Sequence, residues 1–313
     1  MKRIAMGVLT KNHAKVVYSV LSYMAPILMD FAEFGLDVYY LDASDGNDTE
    51  VVVKAFMEGG CTNLHYKRVA ADTPVSARTR MLFLNEDLED TYDYYWPVKD
   101  RVAFDLPGLL NVYQAVCRLK YDLIVLDGYG AQLGVNISSR EYERPEEFYR
   151  DFGWIVPSLD ATLYRHTVIQ SFDWSLLEGD SLLDTQAGSF LHFMVAFQGM
   201  PKLPKSKAYV IHEPNTQILC DRGTSSAWIK DTFRIWKKFW VEVNDSLPSV
   251  YDPYKEKVIR GHALPAPFRS EAGMRELKQR GALTPENIDF VLDGLERVSD
   301  VPKELVRRIA LEI

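Results

Sequence analysis

Through the first 130 residues, short β-branched and aromatic runs alternate with stretches whose apolar residues recur at helical spacing. Alternation of that kind leaves few architectures open, and the simplest is a mostly parallel sheet wrapped by helices. Ile4 to Leu9 is an apolar run that ends in Thr10, Lys11 and Asn12. Val16, Val17, Val20, Leu21, Met24, Ile27, Leu28 and Phe31 then recur at helical spacing until Gly35. The next run begins at Val38 and ends at Asp42, where Ala43, Ser44, Asp45 and Gly46 take over. A second helix is expected from about Asp48 to Gly59, a strand over Leu64 to Tyr66, a helix over Val75 to Leu88, and a strand over Asp93 to Val98. Pro107 suits the first turn of a helix, where its missing N–H costs nothing. The continuous apolar centre of YDLIVLDG, Tyr121 to Gly128, suits a strand covered on both faces.

Composition narrows the class. A chain of 313 residues suffices for one large domain with an appendage, or for two domains. With 47% hydrophobic and 12% aromatic residues it can build an ample core. Its apolar runs are short, and the amino terminus lacks the apolar stretch of about 7 to 15 residues that marks a secretory signal, so a cytoplasmic protein is expected. Cys61, Cys117 and Cys220 are widely separated and without metal-ligand spacing, and read as buried thiols of a reducing compartment. A net charge of −8 argues against a general nucleic-acid binder, which needs a basic face. It leaves room for a nucleotide site built from a few Arg and Lys residues.

Asp42 carries the sharpest functional signal. An aspartate at the carboxyl end of a strand, followed by a small polar loop, stands where open α/β sheets bind nucleotides, in the crevice outside the strand ends. The competing reading is a capped turn, because Asp, Ser and Asn favour turns and helix caps on local grounds alone.

Four segments in order resemble the nucleotide-sugar-binding half of a GT-A fold glycosyltransferase, most closely the bacterial family 2 type. They are LTKN at Leu9 to Asn12, VYYLDASDGNDT at Val38 to Thr49, YDYYWPVKDRVAF at Tyr92 to Phe104, and the YDLIVLDG strand. The likeness covers residues 1–130 well and 150–250 loosely. It implies a GT-A, Rossmann-like, mostly parallel sheet flanked by helices in residues 1–224, and a helical extension in 225–313. It also implies transfer of a sugar from a nucleotide donor, UDP-sugars favoured, to a glycan, glycolipid or glycoprotein acceptor, with inversion, in bacterial surface polysaccharide or glycoprotein synthesis. By the same resemblance Thr10, Asn12, Asp42 and Ser44 line the base and ribose. Arg78 and Arg80, in SARTRM, stand where a basic residue approaches the nucleotide. Two positions apart on a helix they do not share a face, so one is expected at the site and the other at the surface.

The pattern departs from the family at the acidic turn. Where two or three acids are usual, this chain has Lys99, Asp100 and Arg101. Asp100 is therefore the metal ligand that the resemblance implies, holding Mg²⁺ or Mn²⁺ together with the donor phosphates. The alternative is direct neutralisation of the diphosphate by Lys99 or Arg101, and an exposed, solvated turn is the plain reading. For the general base, the search runs downstream of PSLDATLYRHTVI, Pro157 to Ile169, which resembles the acceptor-side strand. Asp160, Asp173, Asp180, Asp184 and His192 are the candidates. Asp184 leads, against a helix N-cap as its structural reading, and His192 follows, against a satisfied core histidine.

The last hundred residues change character. SSAWIKDTFRIWKKFWVEV carries three tryptophans, which suit packing against the sheet, a sugar-stacking surface, or a membrane-surface belt with Lys230, Lys237 and Lys238. Packing is the expectation, and the belt is the route by which the protein would touch the inner membrane face. Further on, Thr284 is expected to cap a helix started by Pro285, in a tail suited to packing, homo-oligomer formation or partner docking. Two other functions compete. A nucleotidyltransferase-like enzyme shares the parallel sheet, but GVLTKN has a single glycine and no phosphate loop. A catalytically inactive scaffold that binds sugar nucleotides is favoured by the depleted acidic turn.

Overall fold

A computed structural model of the chain describes residues 2–86, 88, 90–118, 120–127, 139–177, 190–212, 216–218, 226–262 and 269–312. The alternation seen in the sequence becomes β1 (Ile4–Thr10), α1 (Ala14–Phe31), β2 (Leu36–Asp42), α2 (Asp48–Glu58), β3 (Leu64–Arg68), α3 (Val75–Phe83) and β4 (Tyr94–Lys99). A short β5 (Val102–Phe104) leads into α4 (Leu106–Cys117), then β6 (Leu123–Leu126), β7 (Arg140–Tyr142), β8 (Thr162–Arg165), β9 (Ala208–Ile211) and β10 (Thr216–Ile218). Eight strands form one sheet in the order β3-β2-β1-β4-β8-β6-β9-β7, and β5 pairs with β10 apart from it.

The sheet is mostly parallel, as expected, with two strands reversed in its second half. β3, β2, β1 and β4 are all parallel, as are β6 and β9. β8 runs antiparallel to both β4 and β6, and β7 antiparallel to β9. The cause is local: the segment read as one strand, Pro157 to Ile169, is a tight turn at Leu159–Ala161, four residues of strand, and a helix over His166–Ser171. The turn lies at the carboxyl edge of the parallel strands, so β8 has to run back across the sheet.

Alternate residues of β1 feed two cores, as the period of a strand requires. Met6 and Val8 meet Val17, Leu21, Val53 and Val112 from α1, α2 and α4. Ala5 and Leu9 face the other way, into a cluster holding Leu82, Phe193, Trp240, Ile259, Met274 and Ile309. Burying each large apolar side chain contributes roughly 1.5 to 3 kcal/mol. By length and composition one helix among the described residues, Ala14–Phe34, could cross a membrane. Here its face of Val17, Val20, Leu21, Met24, Leu28 and Phe31 is buried in the protein. Gly7 answers a spatial demand: a Cβ there would lie 2.6 Å from a methyl of Leu82, so α3 sits closer to β1 than any other residue would permit.

In the tryptophan-rich segment Trp236 and Trp240 pack as expected. Trp240 is fully buried, edge-on to Phe193 at 4.7 Å, and Trp236 is packed against the same cluster. Lys237 is buried too and donates to the Asp293 carbonyl at 2.7 Å, which takes it out of any exposed basic belt. Described residues before and after the boundary expected at 224/225 share one buried cluster. Two smaller expectations fail. Cys117 is exposed, at the end of α4, whereas Cys61 is buried; Cys220 lies outside the described residues. The helix expected from Pro285 begins at Ile288, because Asn287 folds back to accept the Thr284 N–H at 3.0 Å and shapes a turn first.

Candidate functional site

The carboxyl edge of the parallel strands collects most of the polar residues singled out in the sequence. β1 ends at Thr10, and Asn12 follows in the left-handed region at φ 57°, a conformation that asparagine tolerates. That turn sends the Asn12 N–H to Ser44 Oγ at 2.7 Å. It also lets the Asn12 side chain grip Asp45 twice, donating to the carboxylate at 2.7 Å and accepting the backbone N–H at 2.9 Å. The loops after β1 and β2 are therefore tied together.

Asp42 is the post on which this is built. It is fully buried; Oδ1 accepts the Ser44 N–H at 2.9 Å and the Ser44 hydroxyl, and Oδ2 accepts the Tyr66 hydroxyl at 2.8 Å. In this arrangement its carboxylate shapes the loop from within, and the loop's surface is presented by Asn12, Asp45 and Gly46. Arg68, at the end of β3, clasps the same loop through the Ser44 carbonyl at 2.8 Å and Asn47 Oδ1 at 2.9 Å.

Of the two arginines in SARTRM, Arg78 points to the edge. It is 5% exposed and donates to the carbonyls of Thr10 at 2.7 Å and Leu41 at 3.3 Å, the last links of β1 and β2. Burial pulls its pKa below the ordinary arginine value, and the charges of Asp100 and Asp42 act against that. Arg80 is half-buried on a different face of α3, as the spacing demanded. Thr10 is buried, with its hydroxyl unpartnered among the described residues.

At the acidic turn the three neighbours go separate ways. Lys99 bridges to Asp160 at 2.8 Å and donates to Ser158 Oγ at 3.1 Å. Asp100 is 4% exposed and its Oδ2 meets His13 Nδ1 at 2.7 Å, a hydrogen bond that raises the His13 pKa. Arg101 is half-buried beside them, close enough to oppose the charging of His13. Among the described residues no three His, Cys, Asp or Glu side chains converge to hold a metal. Asp100 is thus a lone carboxylate at this turn with Oδ2 engaged by His13, and a cation held there would take its other oxygens from donor phosphates and water.

The candidate bases divide as well. His192 is 1% exposed and its Nε2 is spent on the Pro157 carbonyl at 2.9 Å. Burial lowers its pKa to about 4. A fully enclosed imidazole cannot reach an acceptor hydroxyl, so His192 is corrected to a core residue. Asp160 is the partner of Lys99, and exposed Asp173 caps Ser175 with a 2.6 Å hydrogen bond. Asp180 and Asp184 lie outside the described residues. Sequence reasoning passed over one further pair: Asp127, fully buried at the end of β6, meets His212 Nδ1 at 2.9 Å at the end of β9. Both follow apolar strands, the signal that singled out Asp42, but His212 stands far away in sequence and only the pairing of β6 with β9 makes them neighbours.

No protein-family model and no curated protein matches the chain. Among solved structures it is similar to the mannosyltransferase PcManGT from Pyrobaculum calidifontis in complex with GDP-Man and Mn²⁺. The TM-score is 0.53 and the identity 13%, over 96% of this chain and 77% of that one. It is also similar to S. aureus TarS 1-349, with a TM-score of 0.55 and 13% identity over 98% and 90% of the two chains. The same TarS fragment in complex with UDP-GlcNAc gives a TM-score of 0.55 and 14% identity over 97% and 82%. At such identities the likeness is one of fold, and the chain has the GT-A-like α/β fold of a glycosyltransferase, as its motifs implied.

Proposed function

We propose that the protein transfers a sugar from a nucleotide donor, UDP-sugars favoured, to a glycan, glycolipid or glycoprotein acceptor, on the cytoplasmic face of bacterial surface-polysaccharide or glycoprotein synthesis. The observation that carries the reading is the loop network of Asn12, Asp42, Ser44, Asp45 and Arg78 at the carboxyl edge, in a fold whose solved relatives hold GDP-Man and UDP-GlcNAc. Crevices of this kind bind nucleotides where strand ends splay apart. In an inverting displacement the acceptor oxygen attacks the anomeric carbon, the bond to the diphosphate breaks, and a base takes the acceptor proton. Asp184 is the residue we assign to that proton. Asp184→Asn should cut turnover by roughly 100- to 10,000-fold; turnover within tenfold of wild type would reduce Asp184 to a helix cap.

A panel of nucleotide sugars tests the reading as a whole. Slow release of nucleoside diphosphate from one donor, accelerated by a matching acceptor, is the expected outcome. A second reading, a sugar-nucleotide-binding scaffold, is favoured by the commitment of Asp100 to His13. Tight donor binding without turnover in any acceptor mixture would favour it.

A further inference from the structure

We infer that the donor's diphosphate is neutralised by Arg101 itself, with no divalent cation required. The inference rests on the donor reading above. It starts from five carboxylates that the described residues place at the edge, each already serving a protein donor. Asp42 takes Ser44 and Tyr66, Asp45 takes Asn12, Asp100 takes His13, Asp127 takes His212, and Asp160 takes Lys99. The next acid after Asp100, Asp105, accepts the Gly108 N–H at 2.8 Å and caps α4. Between them Val102, Ala103 and Phe104 are buried in β5, so the turn offers no second carboxylate for a metal. A cation there would meet a single carboxylate, one oxygen of which His13 already engages, and would have to find its remaining oxygens elsewhere.

The positive charges tell the complementary story. Lys11 donates to the Ala71 carbonyl, Arg68 to Ser44 and Asn47, Arg78 to the ends of β1 and β2, and Lys99 to Ser158 while paired with Asp160. Arg101 has no hydrogen-bond or ion-pair partner among the described residues, and it stands on the turn beside the Asp100–His13 pair. A guanidinium presents a planar fork of donors that matches two phosphate oxygens at once and stays charged at any working pH. When the anomeric bond breaks, the electron pair remains on the β-phosphate oxygen, and Arg101 is the unspent donor on this turn that would meet it. Asp100 is then a positioning residue that holds His13 and the turn.

Calorimetric titration of the full-length protein with UDP and GDP, in excess EDTA and again with Mn²⁺, tests this. One diphosphate should bind in EDTA within threefold of its affinity in Mn²⁺. Arg101→Ala should weaken that binding at least tenfold and Arg101→Lys should restore part of it. Binding of the corresponding monophosphate should change less than threefold in Arg101→Ala, which separates loss of a β-phosphate contact from a damaged fold. Binding seen only with Mn²⁺ and lost in Asp100→Ala overturns the inference and leaves the donor reading standing. Unchanged diphosphate affinity in Arg101→Ala also overturns it. If neither diphosphate binds in either buffer, the donor reading falls and the inference with it.

Discussion

Asp42 shows how one residue can satisfy two readings of a sequence at once. Its place at a strand end marks a nucleotide crevice, and its hydrogen bonds make it the internal brace of the crevice wall. Asp42→Asn keeps size but replaces one acceptor oxygen by an amide donor facing Ser44 or Tyr66. Loss of a buried, charge-assisted partner costs about 1 to 3 kcal/mol, so urea unfolding should register a drop of that size along with weakened donor binding. Weaker binding with unchanged stability would mean that the carboxylate acts on the ligand directly. His192 makes a prediction in pH. Its folded pKa, near 4, lies below the unfolded value of about 6.5. The unfolded chain therefore binds a proton that the native state refuses, and stability falls as pH drops from about 6.5 towards 4. Some 3 kcal/mol should be lost over that window. His192→Gln retains a donor for the Pro157 carbonyl and does not titrate there. Unfolding free energies at pH 7 and pH 4.5 should differ less in the variant than in wild type, and an equal difference would show that His192 is not the titrating group.

Elements are held in register by close approaches that composition does not reveal. α3 carries Arg78 to the strand ends only because Gly7 lets Leu82 pack against β1. Gly7→Ala forces a fully buried leucine out of its rotamer or the helix away from the sheet, and overpacking of this kind costs roughly 1 to 3 kcal/mol. The same shift should lengthen the hydrogen bonds from Arg78 to Thr10 and Leu41, so donor affinity ought to fall together with stability. Wild-type stability in Gly7→Ala would show that Leu82 has room to yield.

At the scale of the molecule, the carboxy-terminal helices behave as part of the core. Tyr149 donates to the buried Asn244 at 2.6 Å, and Phe190 and Phe193 lie against Trp240 at 5.2 and 4.7 Å. A protein truncated after residue 224 would leave those aromatic side chains facing water. Such a fragment should lose its near-ultraviolet circular dichroism and cooperative unfolding while keeping much of its helix signal. A sharp two-state transition in the fragment would instead establish an independent domain.

Residues 4 to 126 were the legible part of the chain because each element there declares itself locally. Apolar period separates β1 from α1, Gly35 and the Asp42 loop punctuate them, and Pro107 marks the first turn of α4. The strand-end position of Asp42 and the divergent faces of Arg78 and Arg80 follow from the same local rules. Tertiary structure decided what those rules do not reach. It reversed β8 through a three-residue turn, and it enclosed His192 in a core whose walls come from distant segments. It also paired Asp100 with His13 and Asp127 with His212, across 87 and 85 positions of sequence. Secondary structure is written in neighbours along the chain, whereas burial, charge pairing and the availability of a carboxylate depend on which strand ends the sheet order brings side by side.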